Sequence, residues 1–549
     1  MQVETAIDID AKRSFQSFNI LYICAILMND SFARFFRGEF PVLLMLMLLS
    51  TSMLSAQTGR KINIKSANTL EFDDRVDAQR LVGNVIFEHD GTLLYCDSAY
   101  LYDKENRLEA YSNVRIVGDS VVVTGQNLTY DGKTKIADIV GNVRMTDPSS
   151  VLTTNRLQFD NNTKQARYTT GGKIISEKNE LVSQFGMYNS TNRTFYFRKN
   201  VKLTNKDYVM VCDTLQYSTV NKTSYFFGPT TITSKNNLIY CENGYYNTKT
   251  DISEFGKNAR LDSKKQQIRA EKLFYNRKTG DGRARQNVRI SDTSQAVVLT
   301  GHFADYNEFT GRILMTDSAV MEKEFGKDTL FLHGDTLRSV LDTVTDKRTL
   351  FAYHKVKFFK KDFQGRCDSL TYSELDSMMR LYKDPVIWNE ENQLTADTVR
   401  IQLANNNLET LYLRTNGFIA SQEDSVHFNQ ISGRNVTGYF VKNELVKIEV
   451  VANGESVYYA QGDGDGYMGV NKAICNDMNI YIDSNKVQSI TFISDPNATL
   501  YPVNEPTKEE IQLRGLRWLG EHRPAKRSDI FIWKNAPAPV KPARRRQKA

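Results

Sequence analysis

Short stretches of alternating apolar and polar residues recur along most of this chain. The tetrapeptide Asn-Val-Arg-Ile occupies residues 113–116 and again 287–290, and Asn-Val-Arg-Met occupies 142–145. In each one the valine and the last residue share a face while the arginine points the other way, which is the period of a β-strand. Because these stretches are bounded by Asn, Asp, Gly and Ser, they predict short strands joined by polar turns.

The pattern is periodic. The asparagine of the tetrapeptide, or the residue in its place, returns every 28 to 30 residues over eight copies: Asn84, Asn113, Asn142, Gly172, Asn200, Pro229, Asn258 and Asn287. The frame continues more loosely at four further stretches: 354–358, 383–388, 415–420 and 452–457. About thirteen copies are therefore expected, with insertions in the ninth and twelfth. Such a period indicates a stacked array in which each copy buries its apolar face on its neighbours.

The second half of each copy is another apolar strand that runs into a tyrosine, as in Cys-Asp-Thr-Leu-Gln-Tyr at 212–217. No helical period occurs between residues 60 and 500. Pro229 and Pro385 replace the asparagine at a predicted strand start, where a missing N–H is tolerated. The chain is predicted to be an all-β, elongated repeat protein, with one array over 60–500 that bends near the insertion at 322–352.

The N-terminal residues have the layout of a secretory signal peptide. Arg34 and Arg37 precede the apolar run 41–56, which ends in small residues before Gln57. Residues 1–56 are predicted to be the signal peptide, with 1–27 an extension before a better start at Met28. Two parts of the array, 57–317 and 318–505, are expected to follow.

The C-terminal residues 506–549 leave the strand pattern. Thr507 and Glu510 have the spacing of a capping box, and Gly520 suits the position after a helix end. We predict a short capping helix over 506–520 that covers the last repeat, followed by a disordered basic tail.

Composition narrows the chemistry. A net charge of +7 over 549 residues is too thinly spread for a nucleic-acid-binding protein.

One position of the repeat holds Cys96, Cys212, Cys241, Cys367 and Cys475, and it holds Ala270 and Ala396 in other copies. A position shared by Cys and Ala is small and buried, so free thiols are expected. The six histidines are scattered, and neither a metal nor a cofactor is expected.

No motif of a catalytic site occurs, and no catalytic residue is predicted. Asp97, Asp213 and Asp368 follow the cysteines, but they recur with the repeat and are therefore structural first. Two alternatives stay open. One is a structural or adhesive β-solenoid at the cell envelope, such as a parallel β-helix with stacked asparagines. The other is a polysaccharide-active enzyme, which would need a carboxylate cluster that interrupts the repeat.

Strands that contain Gly-Asn-Val alternate here with six-residue segments. Each segment begins with Ala or Cys, continues with Asp or Glu, has an apolar residue at its fourth position and ends in Tyr. Over roughly residues 60–500 this repeat pattern resembles that of the OstA-like family, which includes the periplasmic bridge of lipopolysaccharide transport. The resemblance implies a β-jellyroll, open along one side, whose apolar interior holds lipid A acyl chains. It also implies a non-enzymatic periplasmic carrier on the outer-membrane side of the envelope, which meets the membrane only through partner transport proteins.

An apolar groove lowers the free energy needed to move an acyl chain through water. A chain of about 12 carbons resists crossing water by about 10 kcal/mol, at about 0.8 kcal/mol per methylene. We expect the lipid-binding wall to be a ladder of twelve residues: Val85, Phe87, Val114, Ile116, Val143, Met145, Val201, Leu203, Val288, Ile290, Val356 and Phe358. The alternative for each residue is a closed core without lipid contact.

Open sheet edges are templates for the strands of partner proteins. The stretch Lys-Ile-Asn-Ile-Lys at 61–65 places Ile62 and Ile64 at the N-terminal edge, with no covering element. The predicted helix covers the other edge. The sequence therefore predicts one-ended docking of other lipopolysaccharide-transport proteins through Ile62 and Ile64.

Overall fold

Antiparallel β-strands make up almost all of the regular structure of the chain. The computed structural model describes residues 61–535, apart from 119–120, 265, 293–295, 326–327, 405–406, 463–465, 485 and 504–505. The predicted signal peptide and the basic tail beyond residue 535 lie outside the described residues. Within them, no helix is long and apolar enough to span a membrane.

The strands of the first part are β1 (Asn63–Ser66), β2 (Thr69–Asp73), β3 (Ala78–His89), β4 (Thr92–Tyr102), β5 (Arg107–Val117), β6 (Val122–Asp131), β7 (Ile136–Asp147), β8 (Ser150–Asp160), β9 (Gln165–Tyr168), β10 (Gly172–Ser176), β11 (Asn179–Ser183), β12 (Phe185–Asn189), β13 (Thr194–Thr204), β14 (Tyr208–Ser218), β15 (Thr223–Ser234), β16 (Asn237–Asn247), β17 (Ile252–Ser263), β18 (Gln266–Asn276), β19 (Asp281–Asp292) and β20 (Val297–Asn307).

The strands that follow are β21 (Arg312–Thr316), β22 (Val320–Phe325), β23 (Asp328–His333), β24 (Thr336–Asp342), β25 (Lys347–Lys360), β26 (Phe363–Ser373), β27 (Met378–Tyr382), β28 (Val386–Asn389), β29 (Asn392–Thr395), β30 (Thr398–Ala404), β31 (Asn407–Gln422), β32 (Phe428–Val441), β33 (Glu444–Val451), β34 (Gly454–Gln461), β35 (Tyr467–Cys475), β36 (Asp477–Asp483), β37 (Lys486–Ile493) and β38 (Asn497–Tyr501).

In the part of the chain that the structure describes, every strand hydrogen-bonds to its neighbours in one continuous sheet of 38 strands. Pairing is antiparallel, as between β3 and β4 or β4 and β5, and it continues through both predicted parts of the array. The predicted all-β fold is confirmed. A parallel β-helix is wrong for this chain, because successive strands run in opposite directions.

The strands are longer than the pattern predicted. The second apolar segment and the tyrosine-ended segment form one strand, such as β4. After a turn, the residues that precede each Asn-Val segment and that segment itself form the next strand, such as β5, which has 11 residues. A β-bulge bends it in the middle. In β3, Val82 pairs with Ser98 and Val85 pairs with Cys96, so that Gly83 and Asn84 both lie opposite Asp97. The repeated asparagine therefore marks a corner within a strand and not a strand start.

Backbone conformation explains the choice of asparagine. Gly83 and Asn84 have φ of +82° and +47°, the left-handed region that glycine adopts freely and asparagine tolerates best among side chains. The same pair of positive φ values recurs at Asp317 and Ser318 and at Ser494 and Asp495. These two corners were not recognised in the sequence, because neither has asparagine. Part of the apparent insertion in the ninth copy is therefore an ordinary corner.

The corners divide each long strand into two arms. We call the segments that follow the corner in β3, such as 85–89 with its partner 92–96, the valine arm, and the segments 78–82 and 98–102 the tyrosine arm. The inner faces of both arms contribute to one apolar cluster, which includes Phe87 from the valine arm and Leu81 from the tyrosine arm. The hairpin turns at the end of each arm form a rim. The two rims meet along the side of the fold that lies opposite the corners, and we call this side the mouth. This is the predicted β-jellyroll.

The C-terminal residues differ from the prediction. Helix α1 (Lys508–Ile511) is a single turn, and only 3-10 turns at Gly520–His522 and Arg527–Phe531 follow it. One half of the predicted capping box forms: Glu510 Oε2 accepts hydrogen bonds from the Thr507 amide at 2.7 Å and from its hydroxyl at 2.9 Å. The helix ends early because the next amides bond to the jellyroll: Leu513 N donates to Gln430 Oε1 at 2.8 Å.

Residues 506–535, which we call the strap, do not cover the last repeat. They run back along the outer face of the valine arm, from Lys472 past Gln430 and Gln393 to Arg366 and Lys357. Among the described residues, β37 pairs only with β36 and β38 only with β35. The prediction that a helix closes the C-terminal edge is therefore wrong.

Candidate functional site

The predicted ladder lies on the inner face of the valine arm. All twelve side chains are buried, with 0–7% of their surface exposed. Their outward neighbours Arg115, Arg144, Lys202 and Arg289 are exposed, as the alternation requires. Whether acyl chains touch the ladder stays a prediction.

The opposite wall comes from the tyrosine arm and was missed. Its side chains are as deeply buried as the ladder and come from strands between β3 and β26: Leu81, Leu108, Leu128, Ile139, Leu157, Leu215, Leu273 and Leu370. Several of them, such as Leu215 in 212–217, stand two residues before the repeated tyrosine. The apolar residue two positions before the repeated tyrosine therefore identifies this wall. It faces inward because the strand keeps the same inner face after it passes the corner.

Side chains from the two walls fill most of the space between the arms. A cavity of about 50 Å³ lies between Ile290 and Leu299 of the valine arm and Ile313 and Leu350 of the tyrosine arm. Another, of about 30 Å³, lies between Phe87 and Leu108. An apolar cavity that binds benzene measures about 150 Å³, so each of these spaces is too small for a 12-carbon chain. The arms must move apart before the interior can take one.

Polar pairs join the rims across the mouth. Lys135 Nζ lies 2.5 Å from Asp90 Oδ2, and Lys222 Nζ lies 2.7 Å from Glu177 Oε1. Each pair links a turn of the valine arm to a turn of the tyrosine arm one and a half repeats later. Pairs with this much solvent exposure contribute about 0–1 kcal/mol each. The mouth is therefore held shut by many weak contacts.

One mouth contact is more deeply buried. The Tyr188 hydroxyl donates a hydrogen bond to Asp147 Oδ2, and Ser149 and Ser150 donate to the other carboxylate oxygen. Burial opposes ionisation of Asp147, but these hydrogen bonds prevail and lower its pKa. Burial, together with the bond to Asp147, raises the pKa of Tyr188. The pair therefore stays as carboxylate and phenol over the physiological range.

The recurring carboxylates lie at the corners, away from the mouth. Asn113 Nδ2 donates to Asp97 Oδ2 at 2.7 Å, and Asn258 Nδ2 donates to Glu242 Oε1 at 2.7 Å. These acids accept from the corner asparagine of the next strand, which is a structural role. In the part of the chain that the structure describes, no three His, Cys, Asp or Glu side chains are grouped as metal ligands would be.

The five cysteines among the described residues are free and buried, as predicted. Each lies inside a corner, as Cys96 does opposite Val85 and Cys367 opposite Val356. Burial raises the pKa of Cys96, Cys212 and Cys241 to about 12. The small side chain leaves room for the bend, which explains why alanine and glycine occupy the same position in other copies.

The two predicted docking residues have different environments. Ile64 lies in β1, which within the described residues pairs only with β3, and its side chain is half-buried. Ile62 precedes the strand, its side chain is buried, and its N–H donates to Asn106 Oδ1 at 3.1 Å. The Ile62 backbone is thus already engaged, and Ile64 is the better candidate for edge docking.

Comparison with known proteins gives a partial match. Residues 59–213 and 209–271 match the model of the OstA-like protein family. No curated protein matches the chain. Among solved structures, the chain is similar to LptH of Pseudomonas aeruginosa, described as the LptA-homologous periplasmic component of the lipopolysaccharide transport device. The identity is 15%, the TM-score is 0.19, and the match covers 22% of this chain and 82% of LptH.

Proposed function

We propose that the protein, whose residues 59–271 match the model of the OstA-like family, takes part in lipopolysaccharide transport as a non-enzymatic carrier. Acyl chains of lipid A lie between the valine and tyrosine arms, and the sugar head group stays in water at the mouth. The observation that supports this most is the single apolar cluster, which runs without a break from Ile62 to Ile480 along the inside of the fold.

The geometry suits an amphiphile. Both walls are apolar, so every methylene that enters leaves water and gains about 0.8 kcal/mol. The side opposite the corners is closed by turn residues, by aromatic contacts such as Tyr208 with Tyr246 and by polar pairs such as Asp90 with Lys135. A head group can therefore remain outside while its chains move inward, and no covalent step is needed.

A second candidate function is a structural β-array at the envelope. The small interior spaces of about 20–50 Å³ favour it, because a purely structural core needs no room for a ligand. It predicts that fatty acids do not bind. The enzyme alternative has no such support among the described residues, where the repeated carboxylates bond to corner asparagines.

We further propose that the protein acts in the periplasm and meets transport partners through its sheet edges. The bent edge formed by β1 and β2 exposes Phe72, and β38 at the other end exposes 58% of Leu500. Docking is therefore proposed at both ends. Replacing Ile64 or Leu500 with proline should weaken pairing with partners at one end each while the monomer stays folded.

Displacement of a fluorescent fatty acid from the purified protein by lipopolysaccharide tests the carrier function. Ile290→Asp places a carboxylate in the inner wall and should reduce fatty-acid binding at least tenfold. The matched control is Arg289→Asp, one residue away on the outer face, which should bind like the parent. Equal loss in both variants, or no binding by the parent, would favour the structural array.

A further inference from the structure

The strap is bound to the jellyroll by a series of glutamine side chains. Gln430 donates to the Ile511 carbonyl at 3.1 Å and accepts from the Leu513 amide at 2.8 Å. Gln393 repeats this arrangement, donating to the Arg517 carbonyl at 2.6 Å and accepting from the Leu519 amide at 2.7 Å. Each side-chain amide therefore bonds to a backbone carbonyl of the strap and to the backbone amide two residues later.

The glutamines occupy one position of the repeat. Gln364, Gln393 and Gln430 each stand three residues before the small residue at the corner, which is Cys367, Ala396 or Gly433. Their side chains point away from the groove, yet only 2–3% of their surface is exposed, because the strap covers them. Gln267 stands at the same position before Ala270, in a repeat that the strap does not reach, and is only half-buried.

Apolar anchors and charges complete the attachment. Leu513 packs against Phe418 and Val457, and Leu519 packs against Val386 and Trp388. Further along, Arg523 Nε donates to Gln364 Oε1 at 2.7 Å, and Lys357 Nζ donates to the Ile532 carbonyl at 2.6 Å. The strap thus ties together valine-arm strands from β35 back to β25.

The covered and uncovered parts of the valine arm differ in burial. Beneath the strap both faces of a strand are buried, as in β28, where all four residues are inaccessible. In the first part of the chain only the inner face is buried, and outward residues such as Val182, Val211 and Leu238 are exposed. A strand that is free on one face can shift and curl with little loss of contacts, whereas a strand packed on both faces cannot.

We propose that the strap is a brace that keeps the jellyroll shut from about β25 to β35, so that acyl chains are admitted only between the arms of the first part, from β3 to about β20. This inference rests on the proposed carrier function and names the regulation of the same groove. Since the interior has no room for a chain in the closed state, the place where the arms can part decides where lipid binds. Release of the strap would extend the groove.

The test uses the full chain and a photoreactive 12-carbon fatty acid, with labelled positions mapped by mass spectrometry. In the parent protein we expect at least tenfold more label near Ile116 than near Phe358. In Gln393→Ala/Gln430→Ala, and independently in Leu519→Asp, amide hydrogen exchange in β29 and β32 should rise, and label should appear near Phe358. Gln267→Ala is the matched control and should behave like the parent.

Each outcome has one meaning. Equal labelling of both regions in the parent would overturn the brace while leaving the carrier function intact. The same conclusion follows if released variants exchange faster but gain no label near Phe358. If neither variant raises exchange, the contacts do not hold the strap, and the proposal is wrong. Absence of label from the whole interior, in parent and variants alike, would instead contradict the carrier function itself.

Discussion

His89 Nδ1 lies 2.6 Å from the Tyr130 hydroxyl, and this contact joins the two rims of the jellyroll. His89 ends the valine-arm half of β3, and Tyr130 lies near the end of β6 in the tyrosine arm, 41 residues later. The rims therefore meet between turns that lie about one and a half repeats apart along the chain. Opening the mouth breaks contacts of this kind one after another.

Reversing one charge at the mouth should open it locally. In Lys135→Glu, a carboxylate faces Asp90 and replaces attraction by repulsion. Because the pair is partly exposed, we expect global stability to fall by about 1 kcal/mol or less. Amide hydrogen exchange at the ends of β3 and β6 should nevertheless rise.

Lys104→Glu provides the control for this charge reversal. Lys104 pairs with Asp77 at 2.5 Å within the tyrosine arm, and it does not cross the mouth. Its exchange pattern at β3 and β6 should match the parent. An equal rise in both variants would show that net charge, and not the mouth contact, controls opening.

The corners should discriminate sharply between glycine and β-branched residues. Asn287 has φ of +53°, and a valine there is expected to cost about 1–2 kcal/mol or more. Glycine should be tolerated within about 1 kcal/mol. Urea unfolding of both variants measures this, with Arg289→Val in the extended part of the same strand as control. Similar losses for Asn287→Gly and Asn287→Val would contradict the corner assignment.

The thiols should be inert in the folded protein and free after unfolding. Burial raises the pKa of Cys212 and Cys241 to about 12, so the reactive thiolate is scarce at neutral pH. We expect alkylation of all five described cysteines in denaturant without reductant, and little alkylation of the native protein. Recovery of a bridged Cys212–Cys241 peptide would contradict this.

Much of the fold could be predicted from sequence because each repeat encodes its own contacts. Alternation assigned Val114 and Ile116 to the inner face and Arg115 to the outer face, and the structure agrees. The strand lengths could not be predicted in this way. Asparagine and glycine are typical of turns, so the sequence suggests that a strand begins at this point. The bulge that keeps Gly83 and Asn84 inside a strand can be predicted only if their partner, Asp97, is known.

The path of the strap depends on contacts that local pattern does not encode. Gln393 and Leu519 are 126 residues apart, and nothing near either one indicates the other. The burial of Gln364, Gln393 and Gln430 was therefore invisible, although their shared position in the repeat could have been noticed. The filled interior was likewise unpredictable, because side-chain alternation defines a face and not the distance to the opposite wall.

Acid should weaken the attachment of the strap. Arg366 Nη1 donates to His522 Nδ1 at 2.9 Å, which requires that nitrogen to be unprotonated. Burial, reinforced by the charges of Arg366, Lys357 and Lys534, lowers the pKa of His522, although Glu521 opposes this. A released histidine titrates near 6.5, so the released state binds more protons in the window below that value. The stabilisation of the strap by His522 is therefore present above pH 6.5 and is lost as pH falls through the lowered pKa.

Thermal unfolding between pH 7 and pH 5 measures this loss. In His522→Asn, the side-chain oxygen can accept from Arg366 without titrating, so the pH dependence should be flatter than in the parent. His333, whose pKa burial also lowers, is unchanged in both proteins, so the difference isolates His522. Parallel pH profiles for parent and variant would contradict this role.

The central claim is that lipid occupies the space between the two arms. Photocrosslinking in cells tests it most directly, with a photoreactive residue at Val143 on the inner wall or at Arg144 on the outer face of the same strand. The carrier function predicts adducts with lipopolysaccharide from position 143 and few or none from position 144. Adducts of equal yield from both positions, or from neither, would contradict it.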